Sequence, residues 1–150
     1  MIVNTVHFGK IDIDEAASIE FPEGLPGFEY CRRFVPLEMP NASGLIFLQS
    51  LERPHLCFIT IPLRPTWPDY QLTIPPEARE LLGPDLGTPF SDSAVVLLAI
   101  VSLEEGEEPT ANLLAPVAIH SGTRRAVQVV RTDGRYEVRA SLPVGESVCS

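Results

Sequence analysis

Short apolar runs, alternating or continuous and punctuated by proline and glycine, dominate this chain. In Lys10-Ile11-Asp12-Ile13-Asp14 the alternation places both isoleucines on one face of a strand and the charges on the other. Residues 2–8 and 10–14, separated by Gly9, predict a hairpin or a bulged strand, and 16–21 continues as a strand into Phe21. The segment 21–29 carries Pro22, Gly24, Pro26 and Gly27 and predicts a turn-rich crossover. Further strands are expected at 33–39, 45–50 and 56–61, with turns at 40–44 and 52–55. One short helix is expected over 76–82. Pro76 is tolerated in a first turn, Glu77 meets the positive end of the dipole, and Gly83-Pro84 stops the run. Residues 83–93 read as a loop, and 94–103 as a fully buried strand. After an acidic turn at 104–108 come strands at 110–120, 125–131 and 135–142, the last two joined as a hairpin through Thr132-Asp133-Gly134. Many short strands and one short helix predict an all-β fold, a small antiparallel β-barrel-like domain or a sandwich.

Composition supports that reading. Fifteen prolines in 150 residues are about double the ordinary share, and proline disrupts helix interiors and sheet centres alike. The length predicts a single domain over 1–150, with 140–150 as a flexible tail. At 45% hydrophobic and 21% charged, the chain has the material for a packed core. A net charge of -9 disfavours a nucleic-acid binder, which needs clustered Lys and Arg, and equally an anionic membrane surface. The longest apolar run, 94–101, is eight residues, against about 20 for a bilayer-spanning helix. Three scattered cysteines and a first segment without a signal-peptide pattern predict a cytoplasmic protein with reduced thiols. Residues 1–108 hold 17 acidic and 6 basic side chains, whereas 109–150 hold 3 and 5. Scattered solvated faces explain that imbalance; an acidic surface that selects basic partners or repels RNA is the functional alternative.

No constellation for catalysis stands out. His7, His55 and His120 are far apart and lack HExxH or HxH spacing, so each reads as a surface or hydrogen-bonded core residue. Ser50 lacks the GxSxG elbow, no phosphate-cradling glycine motif occurs, and no cysteine pair has CxxC spacing. The carboxylate pairs Asp12/Asp14, Glu104/Glu105 and Glu107/Glu108 fall on exposed alternation or in a turn, where desolvation cannot tune them. No catalytic residue, metal site or cofactor is assigned. The rings of Trp67 and Tyr70, set between Pro65 and Pro68 and just beyond, suit either an interface anchor or a lid over the barrel end.

Three segments, FPEGLPGF at 21–28, IFLQSLERPHLCF at 46–58 and TANLLAPVAI with RRAVQ over 110–128, together resemble the flagellar assembly factors of the FliW type. The family's turn pattern is met by Phe21, Gly24, Leu25, Pro26, Gly27 and Phe28. Its aromatic-x-Leu-Gln-Ser stretch is met by Phe47, Leu48, Gln49 and Ser50. Its Thr-x-Asn-Leu-x-Ala-Pro stretch is met by Thr110, Asn112, Leu113, Ala115 and Pro116, with Arg125 and Gln128 beyond. The tail from about 139 and the proline-rich 62–69 stretch depart from the pattern. The resemblance implies a cytoplasmic, non-enzymatic barrel-like protein that binds flagellin and the translational repressor CsrA, relieving repression of flagellin translation. It further implies a monomer when free. Phe21, Gly24, Pro26, Gly27 and Phe28 are expected to build a tight structural turn. Phe47, Gln49, Trp67, Tyr70, Glu104, Glu105, Asn112, Leu113 and Pro116 are the expected partner contacts, with a local Asx turn as the alternative for Asn112. A barrel holding an apolar small molecule among its Phe and Leu side chains is the alternative function.

Overall fold

Seven strands close on themselves. The structure, a computed structural model, describes residues 1–40, 44–83 and 94–142. A separate antiparallel hairpin comes first, β1 (Ile2–Thr5) with β2 (Gly9–Asp12). The Thr5 hydroxyl closes its turn by donating to the Gly9 carbonyl at 2.8 Å and accepting from the Phe8 N–H at 2.9 Å. The Val6 N–H then donates to the Pro54 carbonyl at 2.9 Å, tying the hairpin to the main body. Where 16–21 predicts a strand, Glu15–Ala17 forms a 3-10 turn, because the Asp14 carboxylate accepts from the Ala16 N–H and caps it.

The barrel comprises β3 (Ile19–Glu20), β4 (Arg33–Leu37), β5 (Ile46–Ser50), β6 (Cys57–Pro62), β7 (Val95–Ser102), β9 (Val117–His120) and β10 (Arg125–Gln128). Consecutive strands β3 to β7 pair antiparallel; β9 pairs antiparallel with β7 and β10; and β10 meets β3 in a parallel contact at Arg125 and Glu20, which completes the ring. Outside the ring, β8 (Thr110–Ala111) pairs with the end of β7, and β11 (Ala140–Ser141) pairs with β8. The barrel-like all-β fold expected from the pattern is therefore the observed one. Ala140 and Ser141, read as the start of a tail, are sheet residues; 143–150, like most of the predicted 83–93 loop, lie outside the described residues.

Two apolar layers stabilise this arrangement. The inner one draws on all seven ring strands: Ile19, Phe34, Leu48, Phe58, Leu98, Val117, Ile119 and Ala126, with Phe21 and Leu25 from the crossover. Phe34 contacts Phe21 edge-on at 5.3 Å and Phe58 at 5.9 Å, and Phe58 meets Phe28 at 5.5 Å. Rings and aliphatic side chains occupy the interior, which corrects the alternative of an apolar ligand held there: the space is taken by the protein's own side chains.

The second layer lies on the outer face of β7, β9 and β10. Val95, Leu97, Ala99, Ala118 and Val129 pack there under α1 (Leu63–Thr66), the segment 67–75 and α2 (Pro76–Leu82). Alternate residues of β7 thus face two cores, which is why 94–103 reads as continuously apolar. The prediction of full burial fails at the strand's edges, where Val96 is 45% exposed and Ser102 is exposed. The helix predicted at 76–82 forms over those residues. A second, four-residue helix, α1, was not legible in a stretch crowded with proline.

The expected hairpin joining 125–131 to 135–142 does not form. β10 is occupied by β9 and β3, and β11 by β8. The Thr132-Asp133-Gly134 turn exists, with Gly134 at φ 69°, but its carboxylate serves Arg131 and the Arg135 N–H instead of a two-strand ladder.

Candidate functional site

The residues singled out by sequence separate into buried supports and exposed surface. Phe21 is fully buried in the inner layer. Around it, Phe21–Gly24 and Leu25–Phe28 form successive turns, closed by Gly24 N–H to Phe21 O at 2.9 Å and Phe28 N–H to Leu25 O at 2.7 Å. Pro26 followed by Gly27 at φ 85° is the sequence of a type II turn. These five positions build a rigid crossover between β3 and β4.

Four of the expected partner contacts are not on the surface. Gln49 is 0% exposed; its amide donates to the Ser50, Arg53 and Pro54 carbonyls at 3.0, 3.4 and 3.2 Å and so holds the β5–β6 turn. Tyr70 is buried, its hydroxyl donating to the Leu113 carbonyl at 2.7 Å. Leu113 and Pro116 are buried as well. Burial makes Gln49, Leu113 and Pro116 supports and not contact surface, which corrects that expectation for these three, while Tyr70 keeps only the edge that lines a groove on the outer layer. The two rings do act as a lid, though over the outer apolar layer and not over the barrel end: Trp67 is half-buried against that layer. Asn112 makes the Asx turn, its carboxamide oxygen accepting from the Leu114 and Ala115 N–H groups at 3.1 and 3.0 Å. Phe47 is half-buried, with Phe8 of the hairpin edge-on at 5.5 Å. Glu104 and Glu105 are exposed, and Glu104 pairs with Arg139 at 3.4 Å.

Sequence reasoning missed a charged cluster centred on Arg131. The Arg131 side chain is only 6% exposed and sits over the rings of Tyr70 and Tyr136, at 5.1 and 4.6 Å. Its Nε and Nη2 donate to the two Asp133 carboxylate oxygens at 3.2 and 2.6 Å, and Nη1 donates to the Gln71 carbonyl. The hydrogen bonds from Arg131 hold the Asp133 carboxyl below the usual carboxylate range, while burial pushes the Tyr70 hydroxyl up. The clamp fastens segment 67–75 to the end of β10. The signal was present in the positive balance of residues 109–150, although nothing in the sequence says that Tyr70 lies beside Arg131.

Two outcomes follow from this geometry. Tyr70→Phe leaves the buried Leu113 carbonyl without its donor and is expected to cost about 1–2 kcal/mol, read as a lower urea midpoint at unchanged slope. The Asp133 contribution is fully present above its unfolded value near 4 and is lost as pH falls through the lowered folded value. Wild type should therefore lose stability more steeply than Asp133→Asn as pH falls below about 4, measured by denaturant unfolding at each pH.

Among the described residues, no group of three or more His, Cys, Asp or Glu is placed to hold a metal ion, and no helix is long and apolar enough to cross a membrane. Burial pushes the Cys57 thiol up to about 11, away from the thiolate a nucleophile requires. Fold and surface together define a class: a small β-barrel with a filled interior, whose distinctive chemistry lies in charged and half-buried groups on the outside. The comparisons with known proteins narrow this class. Residues 2–142 match the family model described as FliW protein. The "Flagellar assembly factor FliW" of Syntrophotalea carbinolica is 34% identical over 136 residues, covering 91% of this chain and 94% of that protein. The protein of the same name from Bacillus subtilis (strain 168) is 31% identical over 149 residues, covering 99% and 100%. A crystal structure of the flagellar assembly factor FliW superposes with a TM-score of 0.85 at 28% identity, covering 97% of this chain and 99% of that one. The chain belongs to the FliW family.

Proposed function

We propose that this protein is a cytoplasmic flagellar assembly factor that acts by binding two proteins in turn, flagellin and a CsrA-type translational repressor. Holding the repressor relieves its block on the flagellin message, and secretion of flagellin frees the protein to do so. Translation of flagellin is thereby coupled to its export. The observation that carries this reading is the family match, which runs through the whole barrel from residue 2 to residue 142. The charge fits it: a body of net -9, with Glu104, Glu105, Glu107 and Glu108 all exposed, favours a basic RNA-binding partner. Docked beside such a partner, it opposes the approach of phosphates, an effect that salt screens over about 8–10 Å.

The proposed contacts are those expected residues that retain exposed surface: Phe47, Trp67, Glu104, Glu105 and Asn112. The free protein is a monomer, needs no cofactor and performs no chemistry on its partners. Calorimetric titration against each purified partner, at low and at high salt, tests the reading. Both partners are expected to bind, and repressor affinity should fall with salt while flagellin affinity changes less. Binding to neither partner would overturn the proposal.

A further inference from the structure

A groove of about 530 Å³ runs between segment 71–75 and residues 129–135, with Arg64 at one side. Its charged lining is Arg64, Arg131, Arg135 and Asp133. Arg131 and Asp133 are spent on each other. Arg64 and Arg135 are exposed; Arg64 donates through one Nη to the Val95 carbonyl at 3.0 Å and Arg135 lies over the Tyr136 ring at 5.6 Å, yet among the described residues neither has a carboxylate within ion-pair distance. The groove is thus a locally cationic place on a strongly acidic molecule.

The backbone supplies an independent indication. The N–H groups of Val129 and Arg131 donate inward, to the Pro116 and Leu114 carbonyls, both at 2.9 Å. Successive residues of an extended segment point their backbone groups to opposite sides. Val130, between them, lines the groove and is 58% exposed, and its N–H and C=O have no partner among the described residues. Thr73 on the facing wall is likewise without a backbone partner among the described residues. The clamp through Arg131 holds both walls in place before anything binds, which lowers the ordering cost of association.

We propose that this groove docks an extended acidic segment of a partner polypeptide, its backbone pairing along 129–132 and its carboxylates meeting Arg64 and Arg135. Unpaired backbone beside an exposed valine suits strand addition by a peptide more than capture of a small anion. Arginine forks suit carboxylates. A nucleic acid would instead carry a charge at every nucleotide past the acidic body. The inference rests on the reading that this protein works through contact with polypeptides, but not on the identity of either proposed partner.

The test is fluorescence anisotropy with a labelled octapeptide alternating glutamate and valine, alongside versions with glutamine or lysine in place of glutamate. The intact protein should bind the glutamate peptide at least tenfold more tightly than either counterpart. The double variant Arg64→Gln/Arg135→Gln should lose at least tenfold, whereas Arg32→Gln/Arg53→Gln, with the same change in net charge, should lose less than twofold. Equal binding of the three peptides, no binding, or equal loss in both double variants would overturn the groove. If the chain takes the peptide but binds neither flagellin nor the repressor, the groove stands and the functional reading falls. If it binds those proteins and not the peptide, the groove alone falls.

Discussion

Phe34→Ala is expected to remove about 3–5 kcal/mol of stability, the range for a fully buried aromatic ring. Phe34 is 0% exposed, lies mid-barrel between Ile19 of β3 and Ser50 of β5, and holds its ring against Phe21 and Phe58. Truncation leaves a hole the size of a benzene ring beside Phe21 and Phe58 in the inner layer. A closed barrel cannot collapse to fill such a hole without breaking strand pairing. Typical domains have only about 5–15 kcal/mol in total, so the variant should melt roughly 10 °C or more below wild type in a thermal scan followed by circular dichroism. A shift of only a few degrees would mean that the interior is loosely packed.

Gly24→Ala should be nearly as damaging, for a different reason. Gly24 has φ 69°, and a Cβ built there falls 2.6 Å from both the Cα and the carbonyl oxygen of Glu29. The obstructing atoms are backbone, so no side-chain rotation relieves the clash. Left-handed strain of about 1–2 kcal/mol adds to displacement of the crossover, and a total of about 3 kcal/mol is expected. Gly27→Ala is the internal control. With φ 85° and nothing within 4 Å of its Cβ, it should cost only the strain, about 1–2 kcal/mol. Urea unfolding of the two variants checks the ranking; equal losses would show that the close approach at Glu29 does not constrain the turn.

What was legible in the sequence was local. Helix α2 carries its own start and stop in Pro76 and Gly83-Pro84. The 21–28 turns carry their prolines and glycines, and the alternation through the end of β2 and just past it holds, with Ile13 buried and Asp12 and Asp14 exposed. What was not legible depended on distant partners. Gln49 reads as a polar strand residue, yet the turn at 53–54 folds its carbonyls over the amide and buries it. Asp133-Gly134 carries a hairpin signature, but Arg131 claims the carboxylate and β8 claims the strand that follows. The parallel closure between Arg125 and Glu20 joins residues about a hundred positions apart, and no pattern within either strand announces it. The same limit hid the cationic groove: Arg64, Tyr70 and Arg131 meet only because the 67–75 segment is laid across the outer apolar layer.

On the proposed reading, one cytoplasmic protein binds two polypeptides in alternation. The most direct measurement is a titration of flagellin into a preformed complex of this protein with a fluorescently labelled CsrA-type repressor, followed by size-exclusion chromatography with light scattering. Stoichiometric release of free repressor is expected as a flagellin complex of one-to-one mass appears. A stable species containing all three proteins at saturating flagellin would contradict it.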